Sequence, residues 1–260
     1  MIELEIFFVL CFGLCFGSLN TLLIHRLPQG DPIGMTRSKC PKCNNLLGIR
    51  DLVPLFSWLC SRGTCRHCGA KVHWRYPVIE CVTAAVFLLA YIYYGFTISG
   101  GLLALLGSQI IVLCIIDFEH RIIPDELQIT IGITGVLYGF YHDTHIMTMI
   151  LGMVTGGGLG LLLQRFFRWW KKQEGLGTGD VKFMAVSGVW LGAEALLPYF
   201  FYGGVLGIFS AILWRCVNKD PRFPFGPALA ISLYLLVLYP SSEAWFLLVS
   251  LKLVTILRII

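Results

Sequence analysis

The run RFFRWWKK (Arg165–Lys172) leads through Gln173 and Glu174 into GLGTGD (Gly175–Asp180), and the apolar stretch VKFMAVSGVWL (Val181–Leu191) begins at once. Three glycines and a carboxylate stand where a basic segment gives way to an apolar one. Glycine allows backbone to approach backbone and adopts turn angles other residues avoid. A carboxylate at the edge of a membrane segment is costly and is more often functional than incidental. Asp180 is therefore the residue from which the chain is read outward.

The surrounding composition decides the class. The chain has 260 residues, 57% hydrophobic and only 13% charged, with mean hydropathy +0.76. Soluble domains carry about 25% charged residues. The expectation is an all-α polytopic membrane protein, since helices satisfy their own backbone in lipid. The first segment, Glu3–Ile24, lacks a basic leading region and a small-residue cleavage site, so it should remain as a membrane helix. Further apolar segments follow at Tyr76–Phe96, Gly100–Ile116, Leu127–Tyr141, His145–Phe167, Val181–Leu191, Ala193–Trp214 and Pro227–Tyr239. That makes about eight spans. Several fall short of the roughly 20 residues a full crossing needs. The tail Ser241–Ile260 suits either a ninth span or an interfacial helix. Gly152, Gly156 and Gly160 repeat at G-x-x-x-G spacing and read as a close-packing face.

Charge gives the orientation. Between His25 and Tyr76, nine lysines and arginines (Arg26, Arg37, Lys39, Lys42, Arg50, Arg62, Arg66, Lys71, Arg75) face only Asp31 and Asp51. By the positive-inside rule this loop is cytoplasmic and the N-terminus lies outside. Threaded from there, Asp117–Glu126, Arg165–Asp180 and Arg215–Phe223 fall on the cytoplasmic side and His142–His145 outside. The chain divides into a first transmembrane helix (1–24), a cytoplasmic loop domain (25–75) and a membrane core (76–260). The net charge of +5 sits at segment ends, and no nucleic-acid partner is expected.

The loop carries C-P-K-C (Cys40–Cys43) and C-R-H-C (Cys65–Cys68), 21 residues apart. Two such knuckles supply four thiolates to one tetrahedral zinc ion. Cytoplasmic thiols stay reduced, which disfavours disulfides. Four thiolates leave no open position for water, so the zinc is expected to be structural and to supply much of the loop's folding energy. The scattered cysteines Cys11, Cys15, Cys81, Cys114 and Cys216 read as small apolar residues.

A second carboxylate comes from IIDFEHRIIPD (Ile115–Asp125), with Asp117 ending one span. Two spans separate it from Asp180, so both lie at the cytoplasmic face. Two carboxylates held close share a proton, and one then acts as base on water while the other donates to the scissile carbonyl. The residues alone leave the partner of Asp180 open between Asp117 and Asp125. They also leave open that Asp125 and Asp180 merely cap the helices that follow them.

FGSLN (Phe16–Asn20) with HRLP, the two cysteine pairs, PLFSWLCSRGTC (Pro54–Cys65), RYPVIE (Arg75–Glu80), IIDFEHRIIPD, GTGD (Gly177–Asp180) and FPFGPAL (Phe223–Leu229) occur in one order. In that order they resemble the type IV prepilin leader peptidase family, bacterial membrane aspartyl proteases with a G-x-G-D motif. The resemblance implies a catalytic pair of Asp117 and Asp180, with Gly177, Gly179, Lys182 and Asp125 supporting the active-site loop. It implies prepilins or pseudopilins as substrates, cut after a glycine at the cytoplasmic face of the inner membrane. It further implies N-methylation of the new N-terminus from S-adenosylmethionine, with Arg62, Gly63 and Glu80 in the motifs tied to that activity. The linker between the knuckles is longer than the generic four-cysteine pattern, and no strand–G-x-G-x-x-G–helix signature marks an adenosyl site. Two other readings compete: a non-enzymatic zinc-bearing scaffold, and a transporter, which would place its acids near the midplane of inverted repeats.

Overall fold

In the computed structural model, residues 2–34, 37–171, 176–217 and 223–239 are described. Gly175 and the tail 241–260 lie outside the described residues. The elements are α1 (Ile2–Arg26), α2 (Phe56–Cys60), α3 (Arg75–Tyr94), α4 (Ile98–His120), α5 (Asp125–Tyr141), α6 (Ile146–Lys171), α7 (Thr178–Leu191), α8 (Leu196–Val217) and α9 (Gly226–Leu238). Each expected apolar segment is a helix, and the described residues form no strand beyond isolated bridges at Lys39–Leu46 and Thr64–Lys71.

Among the described residues, five helices are long and apolar enough to cross a membrane: α1, α3, α4, α6 and α8. With 17, 14 and 13 residues, α5, α7 and α9 are shorter. At 1.5 Å per residue they reach about 26, 21 and 20 Å, against a hydrocarbon core of about 30 Å. Of the eight expected spans, these three are therefore not full-length crossings by length alone. Two of them, α5 and α9, pack on α4, which also packs against α1 and α3, while α7 packs against α5, α6 and α9. Burial agrees: 56% of the apolar window of α4 is buried, against 22–33% for the other four long helices. Large apolar side chains on the outer faces, such as Phe7, Phe12, Leu162 and Ile208, are exposed, as a lipid-facing surface requires.

Two boundaries differ from the sequence expectation by about a turn. Helix α4 continues past Asp117 to His120, where Arg121 closes it at φ 57° with its N–H on Asp117 O. Helix α7 starts at Thr178, capped by Gly177, so Asp180 is its third residue rather than its cap. Polar residues at the water end of a membrane helix need not end it, because the helix continues to satisfy their backbone.

Small residues set the helix spacing. A Cβ on Gly13 or Gly17 of α1 would stand 2.5 Å from the Cα of Ala84 or Glu80 on α3. Three residues beyond Gly17, Asn20 is 2% exposed. It donates from Nδ2 to Thr83 Oγ1 (3.1 Å) and accepts from Ser108 Oγ (2.9 Å). That network joins α1, α3 and α4 with hydrogen bonds that hold well where no water competes. The FGSLN motif is thus packing chemistry. The G-x-x-x-G face does as expected: a Cβ on Gly152 would collide with the carbonyl of Gly188, and one on Gly156 with that of Met184. At the other end of α7, Trp190 donates its indole N–H to Ile131 O at 2.9 Å. Ser187 donates to the hydroxyl of the buried Tyr199 on α8.

Gly152→Ala should destabilise the protein by about 1–3 kcal/mol through overpacking. Gly158→Ala, where a Cβ meets nothing within 4 Å, should be neutral or gain up to about 1 kcal/mol of helix propensity. Thermal unfolding in detergent would compare them; equal losses would contradict the packing assigned to α6 and α7.

Candidate active site

Asp117 sits in the last turn of α4 and is only 5% exposed. Its Oδ2 accepts the backbone N–H of Gly226, 109 residues away, at 3.0 Å. Gly226 opens α9, and Pro227 behind it has no N–H to satisfy, as suits a first turn. A side chain at Gly226 is impossible without moving the acid, because a Cβ there would lie 2.7 Å from Asp117 Oδ2 and 3.1 Å from Ile123 Cδ1. The buried Ile123 touches the other motif too: a Cβ on Gly179 would lie 3.4 Å from Ile123 Cβ. Ile123 is thus a wedge between GTGD and FPFGP.

Asp180 reaches back to its own helix start, where its Oδ2 accepts the N–H of Gly177 at 3.2 Å. One oxygen of each carboxylate is therefore held by a backbone N–H at a helix N-terminus. That end of a helix favours negative charge. The two seats meet through Ile123, which lies against Gly226 at the Asp117 seat and against Gly179 in the Asp180 turn. Asp125 is differently engaged. Both its oxygens meet Lys182 Nζ, at 2.7 and 2.8 Å. This pair is exposed and contributes little by itself, about 0–1 kcal/mol. It does tie the first residue of α5 to the fifth residue of α7, and so brackets the segment that carries Ile123. Both acids the sequence left open are thus tied to α7, Asp117 through Ile123 and Gly179 and Asp125 through Lys182.

The four expected cysteines come together. The sulfurs of Cys40, Cys43, Cys65 and Cys68 all lie within 4.8 Å of one another, a set that could hold a metal ion. Both knuckles use one turn design. The N–H of Asn44 returns to Cys40 O and that of Gly69 to Cys65 O, each at 2.9 Å, with Asn44 and Gly69 at φ 54° and 70°. The amides of Cys43 and Lys42 draw the Cys40 thiol down to about 6. Against the pull of the Ala70 amide, desolvation and the three neighbouring sulfurs push Cys68 up to about 11. Sulfurs crowded this way compete for protons until a cation neutralises them.

The residues set aside for a second activity turn out to shape this loop. Glu80, 8% exposed on α3, accepts the N–H of Leu55 at 2.7 Å. Leu55 itself sits at φ 61°, a conformation a branched side chain adopts only under constraint. Arg62 and Gly63, at φ 52° and 67°, turn the chain toward the second knuckle. Trp58 covers Gly63 so closely that a Cβ would lie 2.9 Å from its ring, and it donates to Val72 O at 3.2 Å. Sequence reading missed these contacts, as it missed Gly226 and Ile123 at the acids. The Gly-Pro pair opening an apolar run was an available signal for a helix start.

Glu80→Leu should leave the Leu55 N–H unsatisfied at a cost of about 1–3 kcal/mol. Local opening would then speed tryptic cleavage at Arg62 on the order of tenfold. An unchanged cleavage rate in limited proteolysis would show that Glu80 does not hold the loop.

Comparison with known proteins agrees with this geometry. Residues 11–94 match the bacterial peptidase A24 N-terminal domain, and residues 103–212 match the type IV leader peptidase family. The cysteine cluster and Glu80 fall in the first match, and Asp117 and Asp180 in the second. A prepilin leader peptidase/N-methyltransferase of Pectobacterium carotovorum subsp. carotovorum is 31% identical, over 84% of this chain and 88% of the relative. One from Dickeya chrysanthemi is 32% identical over 86% and 89%, and one from Dichelobacter nodosus 30% over 92% and 93%. No solved structure gave a significant match. The chain, with its two helix-terminal acids and its four-cysteine loop, belongs to the type IV leader peptidase family.

Proposed function

We propose that this protein removes the N-terminal leader of type IV prepilins or pseudopilins and then methylates the new N-terminus. The observation that carries the first activity is the seating of Asp117 by the Gly226 amide beside the α7 turn that holds Asp180. Backbone donors fix one oxygen of each acid, and acid–base work falls to the other. One carboxylate takes a proton from water while its partner, protonated, donates to the scissile carbonyl. The water oxygen bonds to the carbonyl carbon, the C–N bond breaks, and the released amine takes the proton. The pair titrates as a unit. Glycine at the cleaved position gives the least obstruction to an extended backbone, and Gly177 and Gly179 give the same clearance beside Asp180.

The membrane would be the bacterial inner membrane, with the N-terminus outside and residues 25–75 in the cytoplasm, beside membrane lipid. Residues 1–24 act as the first transmembrane helix and 76–260 as the protease core. Zinc suits the cysteine cluster. Tetrahedral zinc with bonds of about 2.3 Å implies sulfurs about 3.8 Å apart, and Cys40 and Cys68 Sγ stand 3.9 Å apart. It would be held by Cys40, Cys43, Cys65 and Cys68, and would cross-link the two knuckles. S-adenosylmethionine is the natural methyl donor for the second step. Arg62, Gly63 and Glu80 bear on that step through the shape of the loop.

Purified protein should be mixed with a leader-bearing prepilin and S-adenosylmethionine, and the product weighed by mass spectrometry. Wild type should give the shortened pilin with one added methyl group. Asp117→Asn and Asp180→Asn should each slow leader loss by roughly 10²–10⁴-fold. Wild-type cleavage by either variant, or an intact leader with folded wild-type enzyme, would contradict the proposal. Cys65→Ser should lose the stoichiometric zinc found in wild type by elemental analysis; retained zinc would refute the four-thiolate site.

A further inference from the structure

A second chemical site lies on the opposite side of the α4 end. A cavity of about 240 Å³ opens where the ends of α1 and α4 meet the start of α3. It is lined by His25 and Gln29 from the end of α1 and the turn after it, by His73 and Arg75 entering α3, and by Glu119 and His120 closing α4. Arg75 Nη1 pairs with Glu119 Oε1 at 2.6 Å. Its Nη2 is buried and has no hydrogen-bond partner among the described residues. His73 Nδ1 accepts the N–H of Arg75 at 3.1 Å, which places the proton of a neutral ring on Nε2, as a donor. An orphaned guanidinium nitrogen beside a carboxylate fits one ligand chemistry well. It fits a zwitterion, with an anionic group on the Arg75 guanidinium and an ammonium on Glu119. A simple anion would gain the arginine but face the charge of Glu119.

We propose that this cavity binds the amino-acid end of the methyl donor, S-adenosylmethionine. The inference rests on the methyl-transfer reading above and gives it a location. Ligand sites for whole small molecules run to about 300–1,000 Å³, so a cavity of this size takes the amino-acid end and leaves the rest of the ligand outside it. Bound there, the donor supplies an electrophilic methyl: the pilin amine bonds to the methyl carbon, the carbon–sulfur bond breaks with its electrons on sulfur, and the amine proton passes to water. Asp117 and Glu119 are two residues apart on α4, which turns their side chains about 200° around the axis. One helix turn thus carries the peptidase acid on one side and the donor pocket on the other.

Two sources offer a zwitterion at a membrane face: the methyl donor, and the headgroup of an ethanolamine phospholipid. The test is calorimetric binding of S-adenosylhomocysteine, which cannot react, to the full-length protein in detergent. Wild type should bind it, and methionine should compete. Arg75→Gln should weaken binding at least tenfold and Arg75→Lys should recover part of the loss, with zinc content and gel-filtration profile as fold controls. Should Arg75→Gln fail to fold, Glu119→Gln carries the same test. Undiminished binding by the folded variants overturns the cavity assignment while leaving methyl transfer intact. Displacement by glycerophosphoethanolamine but not by methionine also overturns it, in favour of a lipid headgroup. Wild type that neither binds S-adenosylhomocysteine nor methylates pilin removes the underlying reading as well.

Discussion

The bond from the Gly226 amide to Asp117 joins two helices that are far apart in the chain. A carboxylate that is 5% exposed needs such a donor, because an unpaired buried acid is costly. The start of α9 meets that need with an N–H that no helix bond uses. The arrangement has a steric condition, since only glycine fits between the acid and Ile123. It has a topological one as well: α9 must begin at the depth where α4 ends. The same Ile123 leans on Gly179, so the segment after α4 sets the height of both acids. The Asp125–Lys182 pair fixes that segment from its far end.

This geometry suits the short lengths of α7 and α9. To bring the start of α9 against the last turn of α4, and that of α7 against Ile123 just beyond it, neither helix has to cross the full hydrocarbon thickness. Close approach replaces length. Helix α7 is held by glycine contacts to α6, by the Trp190 bond to α5 and by the Ser187 bond to α8. Where lipid offers no hydrophobic reward for helix association, small residues and interhelical hydrogen bonds supply it. The N-terminal half follows the same rule with Gly13, Gly17 and Asn20, and it extends the frame into the loop through Glu80 and Leu55.

Much of this was legible in the sequence, for definable reasons. Apolar runs located the helices because lipid imposes composition on them. The cysteine spacing located the cluster because a metal site is read locally, two knuckles at a time. The expectation that Asp117 and Asp180 share one face rested on the even number of apolar segments between them. The ends of α4 and α7 were misplaced by a turn because hydropathy records where lipid ends, not where hydrogen bonding ends. The Gly226 contact was invisible because no local pattern announces a partner 109 residues away. Gly63 and Glu80 were noticed as motif residues, but their contacts with Trp58 and Leu55 exist only once the loop has folded.

The central claim is that Asp117 and Asp180 work as one unit, and the most direct measurement is how their losses combine. Leader cleavage by the folded Asp117→Asn/Asp180→Asn double variant should be compared with that of each single variant under single-turnover conditions. Residues acting as a unit are strongly non-additive, so the double variant should be about as slow as either single one. A double variant slower by the product of the two single effects would mean independent roles, and would contradict the shared-site account.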